Sequence, residues 1–208
     1  MTVEQIKIGI PKIVNNAEEL YQDAEILLSN NRIERAYALF QLSIEEIAKA
    51  FILTNALIFD DISSKEVSSK LEKMILNHEY KSRKSIGIES YVYEILKNID
   101  EKIYEKIVLD AIKEYSSIKQ LNNKKNESLY VSFINHEFVS PNEKIEIEEV
   151  KKIKTKAGFR IQIGKGFILG IVKNNELIKE KMKEYLHEVQ DTERVNEYTR
   201  IIRKHKGS

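Results

Sequence analysis

Residues 31–53 read NRIERAYALFQLSIEEIAKAFIL, a run whose apolar side chains fall on every side of a helix: Ile33, Ala36, Tyr37, Leu39, Phe40, Leu42, Ile44, Ile47, Ala50 and Phe51. A helix that is apolar all round belongs in the middle of a domain. Beyond the charges of its first turn, Glu45, Glu46 and Lys49 interrupt it. A lone charge costs several kcal/mol to bury unless it is paired. Glu46 and Lys49 are spaced i, i+3, so they share a face and can pair. Glu45 continues a stripe with Gln41 and Lys49 that reads as the wetter edge. Glu46 and Lys49 then form either a structural ion pair or part of a functional polar cluster inside a bundle.

On the N-terminal side, the sequence predicts a first helix opening at Pro11, with Ile13, Ala17, Leu20, Ala24, Leu27 and Leu28 on one stripe. Ser29-Asn30-Asn31 ends it and makes the two helices antiparallel neighbours. On the C-terminal side, Asp60-Asp61 breaks the chain, and Ser63 with Glu66 reads as a capping box. The third helix carries Val67, Leu71, Met74 and Ile75 inward, with His78 and Lys81 continuing the stripe. Gly87 allows a break before a long helix from Ile88 to about Leu121, and Asn122–Asn126 reads as a polar loop.

Leu129–Phe133 and Glu137–Val139 are β-prone and predict a short two-stranded ribbon at about 129–139. Ser140-Pro141-Asn142-Glu143 has cap chemistry, and the next helix is expected to start near Ile147. Val150, Ile153, Ala157, Ile161, Gly164, Ile168 and Ile171 repeat at helical spacing. The four glycines within 158–170, however, suit a hairpin equally well, so local evidence leaves 158–172 open. Glu176 to about Tyr198 is amphipathic. Arg200–Ser208 is basic and is expected to be a loose tail, giving one helical-bundle domain over 1–199 and a tail over 200–208.

Composition narrows the function classes. With 34 Lys+Arg against 33 Asp+Glu, the net charge of +1 does not mark a nucleic-acid binder, although a local basic patch stays open. Cysteine is absent, which excludes a disulfide framework and thiolate chemistry. No signal peptide and no run of about 18 uncharged apolar residues is visible, so a cytoplasmic protein without a membrane partner is expected. Four dispersed histidines without ligand spacing predict no metal site and no cofactor.

The order of signals resembles the AbiV-type abortive infection proteins, a branch of the HEPN-like helical superfamily. The matching residues are Asn16 and Asp23-Ala24, then Asn31-Arg32, Arg35-Ala36-Tyr37-Ala38-Leu39 and Glu45-Glu46-Ile47-Ala48-Lys49-Ala50. His78 with Lys81, and Leu129-Tyr130-Val131 followed by Val139-Ser140-Pro141, complete the set. The resemblance implies an all-α HEPN-like bundle with a short β-ribbon insertion, acting in antiphage defence and forming a homodimer. Such an effector arrests phage propagation by blocking expression at translation, with a phage protein or RNA as trigger or target. The resemblance also tips residues 150–172 towards helix.

Many HEPN relatives are metal-independent RNases with an Arg-x4–6-His motif, in which histidine moves protons and arginine stabilises charge on phosphate. Here His78 has Lys73 at the corresponding upstream position. The literal match is Arg200 to His205, in the basic tail. The RNase reading is therefore kept as the alternative to a non-enzymatic inhibitor. The candidate site is Glu46, Lys49, His78 and Lys81, with His78 and Glu46 the candidate catalytic pair. The bland alternative is a satisfied histidine beside a lysine that reaches solvent. His136, in a turn, and His187, on a charged helix, are expected to be exposed.

Overall fold

The computed structural model describes residues 1–97, 100–174, 176–178, 180 and 181, without the side chains of 90–97. In chain order the elements are α1 (Val3–Ser29), α2 (Ile33–Phe59), α3 (Lys65–Leu76), α4 (His78–Lys97) and α5 (Glu101–Glu127). They are followed by β1 (Ser132–Ile134), β2 (Glu137–Val139), a 3-10 turn (Pro141–Glu143) and α6 (Ile147–Lys173). The architecture is the expected helical bundle with a small antiparallel ribbon.

α2 is the central element: 18 of its 27 residues are buried, and α1, α3, α4, α5 and α6 all pack on it. Its all-round apolar pattern thus does what the physics requires. α1 offers it a single stripe, Ile6, Ile10, Val14, Ala17 and Ala24. The α1–α2 turn is closed by Asn31, in the left-handed region at φ 58°, and by the Arg32 amide donating to the Leu27 carbonyl at 2.9 Å. One core cluster joins the first half of α2 (Ala36, Tyr37, Phe40, Ile44) to Val150, Ile153 and Ala157. A second joins its second half to Ile161 and Ile168, so α6 runs alongside α2 in the same direction. The approach is close at Gly164, where a Cβ would stand 2.8 Å from Ile47 Cγ1.

The segment 158–172, open to a hairpin on local evidence, is helical throughout. Its glycines are accepted because the helix gains its stability from a buried face rather than from propensity. The ribbon pairs Ser132 with Val139, Phe133 with Phe138 and Ile134 with Glu137. Asn135 and His136 make the turn, both at positive φ (51° and 68°), the two-residue geometry that suits a hairpin's twist. His136 is exposed there, as expected.

Several boundaries differ from the sequence reading. α1 opens at Val3, capped by a reciprocal Thr2–Gln5 box, and Pro11 lies inside it on the exposed side, where water can reach the carbonyl its ring frees. Ser64, not Ser63, caps α3 through Val67, while Ser63 Oγ donates to Asp61. α3 stops at Leu76, so His78 and Lys81 belong to the next helix. Asn77 makes the break: it is extended (φ −82°, ψ 114°), and its Oδ1 accepts from the Tyr80 amide at 2.9 Å. Gly87 is no break but a point of close passage, where a Cβ would meet Phe51 at 3.3 Å. The expected long helix is divided instead at Asp100, which is extended and whose carboxylate caps α5. Asn122–Asn126 is not a loop; α5 continues through it to Glu127. The expected helix at 176–198, the tail at 200–208, His187 and His205 fall wholly or mostly outside the described residues.

Candidate functional site

Glu45 is the hub of a buried polar cluster. It is 2% exposed, so the expectation that its stripe is the wetter edge is overturned; Gln41, one turn earlier, is equally buried. Glu45 looks from α2 into the space closed by the start of α4 and the end of α5. Glu45 Oε2 lies 2.5 Å from His78 Nδ1. Its Oε1 accepts from Lys125 Nζ at 2.5 Å. Lys81 Nζ is 3.5 Å from Oε2, an ion-pair contact. Lys125 Nζ and His78 Nδ1 stand 3.4 Å apart on the shared carboxylate.

Chain geometry explains the convergence. His78 and Lys81 occupy the first turn of α4 because Asn77 ends one helix and caps the next, which turns that end over the middle of α2. Lys125 arrives because α5 does not stop at its Asn-rich stretch. Ser128 anchors the end of α5, donating to the Lys125 carbonyl through Oγ. Arg35 holds the chain beyond it, its Nη1 donating to the Leu129 carbonyl at 2.9 Å.

The electrostatics are asymmetric. One carboxylate faces two ammonium groups whose side chains are only 8% and 6% exposed, so the cluster carries surplus positive charge. A carboxylate only accepts, so the His78 Nδ1 proton points at Glu45 and Nε2 is left as the outward nitrogen. The His78 side chain is 56% exposed, and Nε2 takes no hydrogen bond among the described residues. The Gln41 Oε1 is a buried acceptor without a hydrogen-bond partner among the described residues. Chemically, the arrangement presents an oriented imidazole beside cations, suited to a phosphate or another anion.

Of the four residues expected to converge, His78 and Lys81 do so. Glu46 and Lys49 pair with each other instead, at 2.7–2.8 Å, and neither makes a contact with His78. Lys125, which the polar-loop reading hid, takes the place expected of Lys49, and Glu45 that expected of Glu46. Lys73 is exposed on α3. Arg200 and His205 lie outside the described residues.

A second buried network ties α4, α5 and α6 together. Arg160 is 0% exposed. Its Nε donates to Glu89 at 2.6 Å, its Nη1 to Ser85 Oγ at 2.8 Å, and the two Nη groups clamp the Glu114 carboxylate at 2.9 and 2.7 Å. Lys156 adds a contact to Glu114 at 2.9 Å. Burial opposes ionising Glu114, but the charge and hydrogen bonds of Arg160, with those of Lys156, outweigh it and hold the carboxyl below its usual range. Two acids and two bases close this network, which is structural. Near the first cluster, burial and the Glu149 and Glu127 carboxylates push the Tyr37 hydroxyl up to about 12.

Among the described residues no group of His, Cys, Asp or Glu could hold a metal ion, and no helix is long and apolar enough to cross a membrane. Comparison with curated proteins and with solved structures gives no match. The family model HEPN_AbiV, described as AbiV, matches residues 5–159. That span takes in α1 to α5, the ribbon, Glu45, His78, Lys81, Lys125 and the first half of α6, and the chain belongs to the AbiV family of HEPN proteins.

Proposed function

We propose that the chain is an abortive-infection effector that arrests phage propagation by blocking expression at translation, and that it does so through RNA contacted at the Glu45–His78–Lys81–Lys125 cluster. Family membership suggests the defence role. The observation that carries the site is the 2.5 Å contact from buried Glu45 to the Nδ1 of an imidazole whose ring is half exposed. With two lysines on one carboxylate, the surplus positive charge gains from an approaching phosphate.

Cleavage is the second reading, favoured by the same contact, because a carboxylate-held imidazole is the arrangement of a general base. Against it stands Lys73, where RNase relatives carry arginine.

The test incubates the purified protein with tRNA and total RNA, alone and as His78→Ala, and reads both gel retardation and fragment ladders. Retardation lost in the variant, with intact RNA, supports a binder. Fragments lost in the variant support the RNase. If the parent protein gives no retardation and no cleavage, RNA as the target is refuted.

A further inference from the structure

The ribbon inverts the usual alternation of a half-buried sheet. Its inner face carries Ser132, Ile134 and Val139, all half-buried, with Glu137 exposed opposite Ile134 by the turn, whereas its outer face is the tilted pair Phe133 and Phe138, 62% and 78% exposed, with ring centroids 4.9 Å apart. Tyr130 and Val131, 65% and 60% exposed, lead into it. An antiparallel sheet with one wet face normally turns its polar residues to water, and a cluster of exposed large apolar groups marks an interaction surface. The turn at Asn135 and His136 holds the strands in register, so the aromatic pair is presented preorganised.

The charge around it selects the occupant. Residues 127–149 contain six glutamates (127, 137, 143, 146, 148 and 149) against one lysine. Glu127, Glu148 and Glu149 are each paired, with Lys144, Lys151 and Lys124. Glu137, Glu143 and Glu146 are exposed and make no ion pair among the described residues. Exposed aromatics can stack nucleic-acid bases, but that mode needs a basic groove to track the backbone. Phosphate strands and anionic lipid headgroups are both repelled here, and a second copy would set glutamates against glutamates.

We propose that the Phe133–Phe138 face docks a protein partner that offers an apolar cleft rimmed by lysine or arginine. The two phenylalanines are the anchors, and the glutamates at both ends of the ribbon steer and orient the partner. This surface is separate from the His78 cluster.

The experiment places p-benzoylphenylalanine at position 138 of the full chain, irradiates phage-infected and uninfected cells, and sequences the crosslinked peptide. The expected product joins position 138 to a segment of another polypeptide bearing lysine or arginine beside apolar residues. Its yield falls to background when Glu137→Lys and Glu146→Lys are added, with the thermal transition unchanged. It persists in a His78→Ala background, which separates this surface from the RNA-contacting reading. A crosslink to a second copy, to RNA or to lipid, a yield unmoved by the charge reversals, or no product in either culture overturns the proposal.

Discussion

Glu45 and Glu46 are adjacent in sequence, yet a helix turns about 100° per residue, so they face different neighbours. Glu45 meets the ends of α4 and α5; Glu46 meets Lys49 on its own helix. The energetics differ accordingly. Glu45→Ala leaves two buried ammonium groups without their counter-ion and should cost about 3–5 kcal/mol. Glu46→Ala loses a partly wetted pair and should cost about 1 kcal/mol or less. Denaturant unfolding of both variants checks the contrast, and equal losses would contradict it. Arg160→Ala removes the buried cation that Glu89 and Glu114 share and falls in the same range as Glu45→Ala, about 3–5 kcal/mol. Glu114 also gives a sign to the acid side. Its folded pKa is depressed, chiefly by Arg160 acting against burial, so its contribution is complete above the ordinary carboxylate range near about 4 and lost as pH falls through the folded value. The acid-side fall in melting temperature should therefore change in an Arg160→Met protein.

At the scale of elements, α6 packs on α2 through glycine, and not every glycine matters. Gly164→Ala puts a methyl 2.8 Å from Ile47 Cγ1 and should destabilise by about 1–3 kcal/mol through overpacking. Added methyls at Gly166 and Gly170 meet nothing within 4 Å among the described residues, so alanine there should stabilise by about 0.5–1 kcal/mol through helix propensity. Thermal melts of the three variants should order them so, and a stabilised Gly164→Ala would show that the helices stand further apart. Tyr37, where α2 meets the carboxylates of Glu127 and Glu149, gives an alkaline signature. Its pKa is raised from 10.0 to about 12, so its contribution is whole below 10 and lost as pH rises towards 12. Tyr37→Phe should remove that component of the alkaline decline in melting temperature; an unchanged profile would count against the buried hydroxyl.

For the whole molecule, the sequence made the frame legible and the site only half so. The central helix could be read because nothing but an interior suits Ala36 to Phe51, and the ribbon because two β-prone runs, Leu129–Phe133 and Glu137–Val139, stand a short turn apart. The right carboxylate could not, since a helix buried on every side has no wet face to orient it. Lys125 was hidden because Asn122–Asn126 has loop composition, and only tertiary packing keeps it helical. Arg160 gave no signal, being one base within an apolar run whose partners come from two distant helices. His78 and Lys81 were found as a pair but placed on the wrong helix, because periodicity continues across the break that Asn77 makes.

His78, held by Glu45, is the group proposed to meet the target. His78→Ala removes an exposed ring and should leave the melting temperature close to that of the parent. The decisive measurement is the efficiency of phage plating on cells expressing this variant, with folding confirmed on the purified protein. Plaque numbers rising to those of cells that lack the protein are the predicted result; undiminished protection by a folded His78→Ala protein would contradict it.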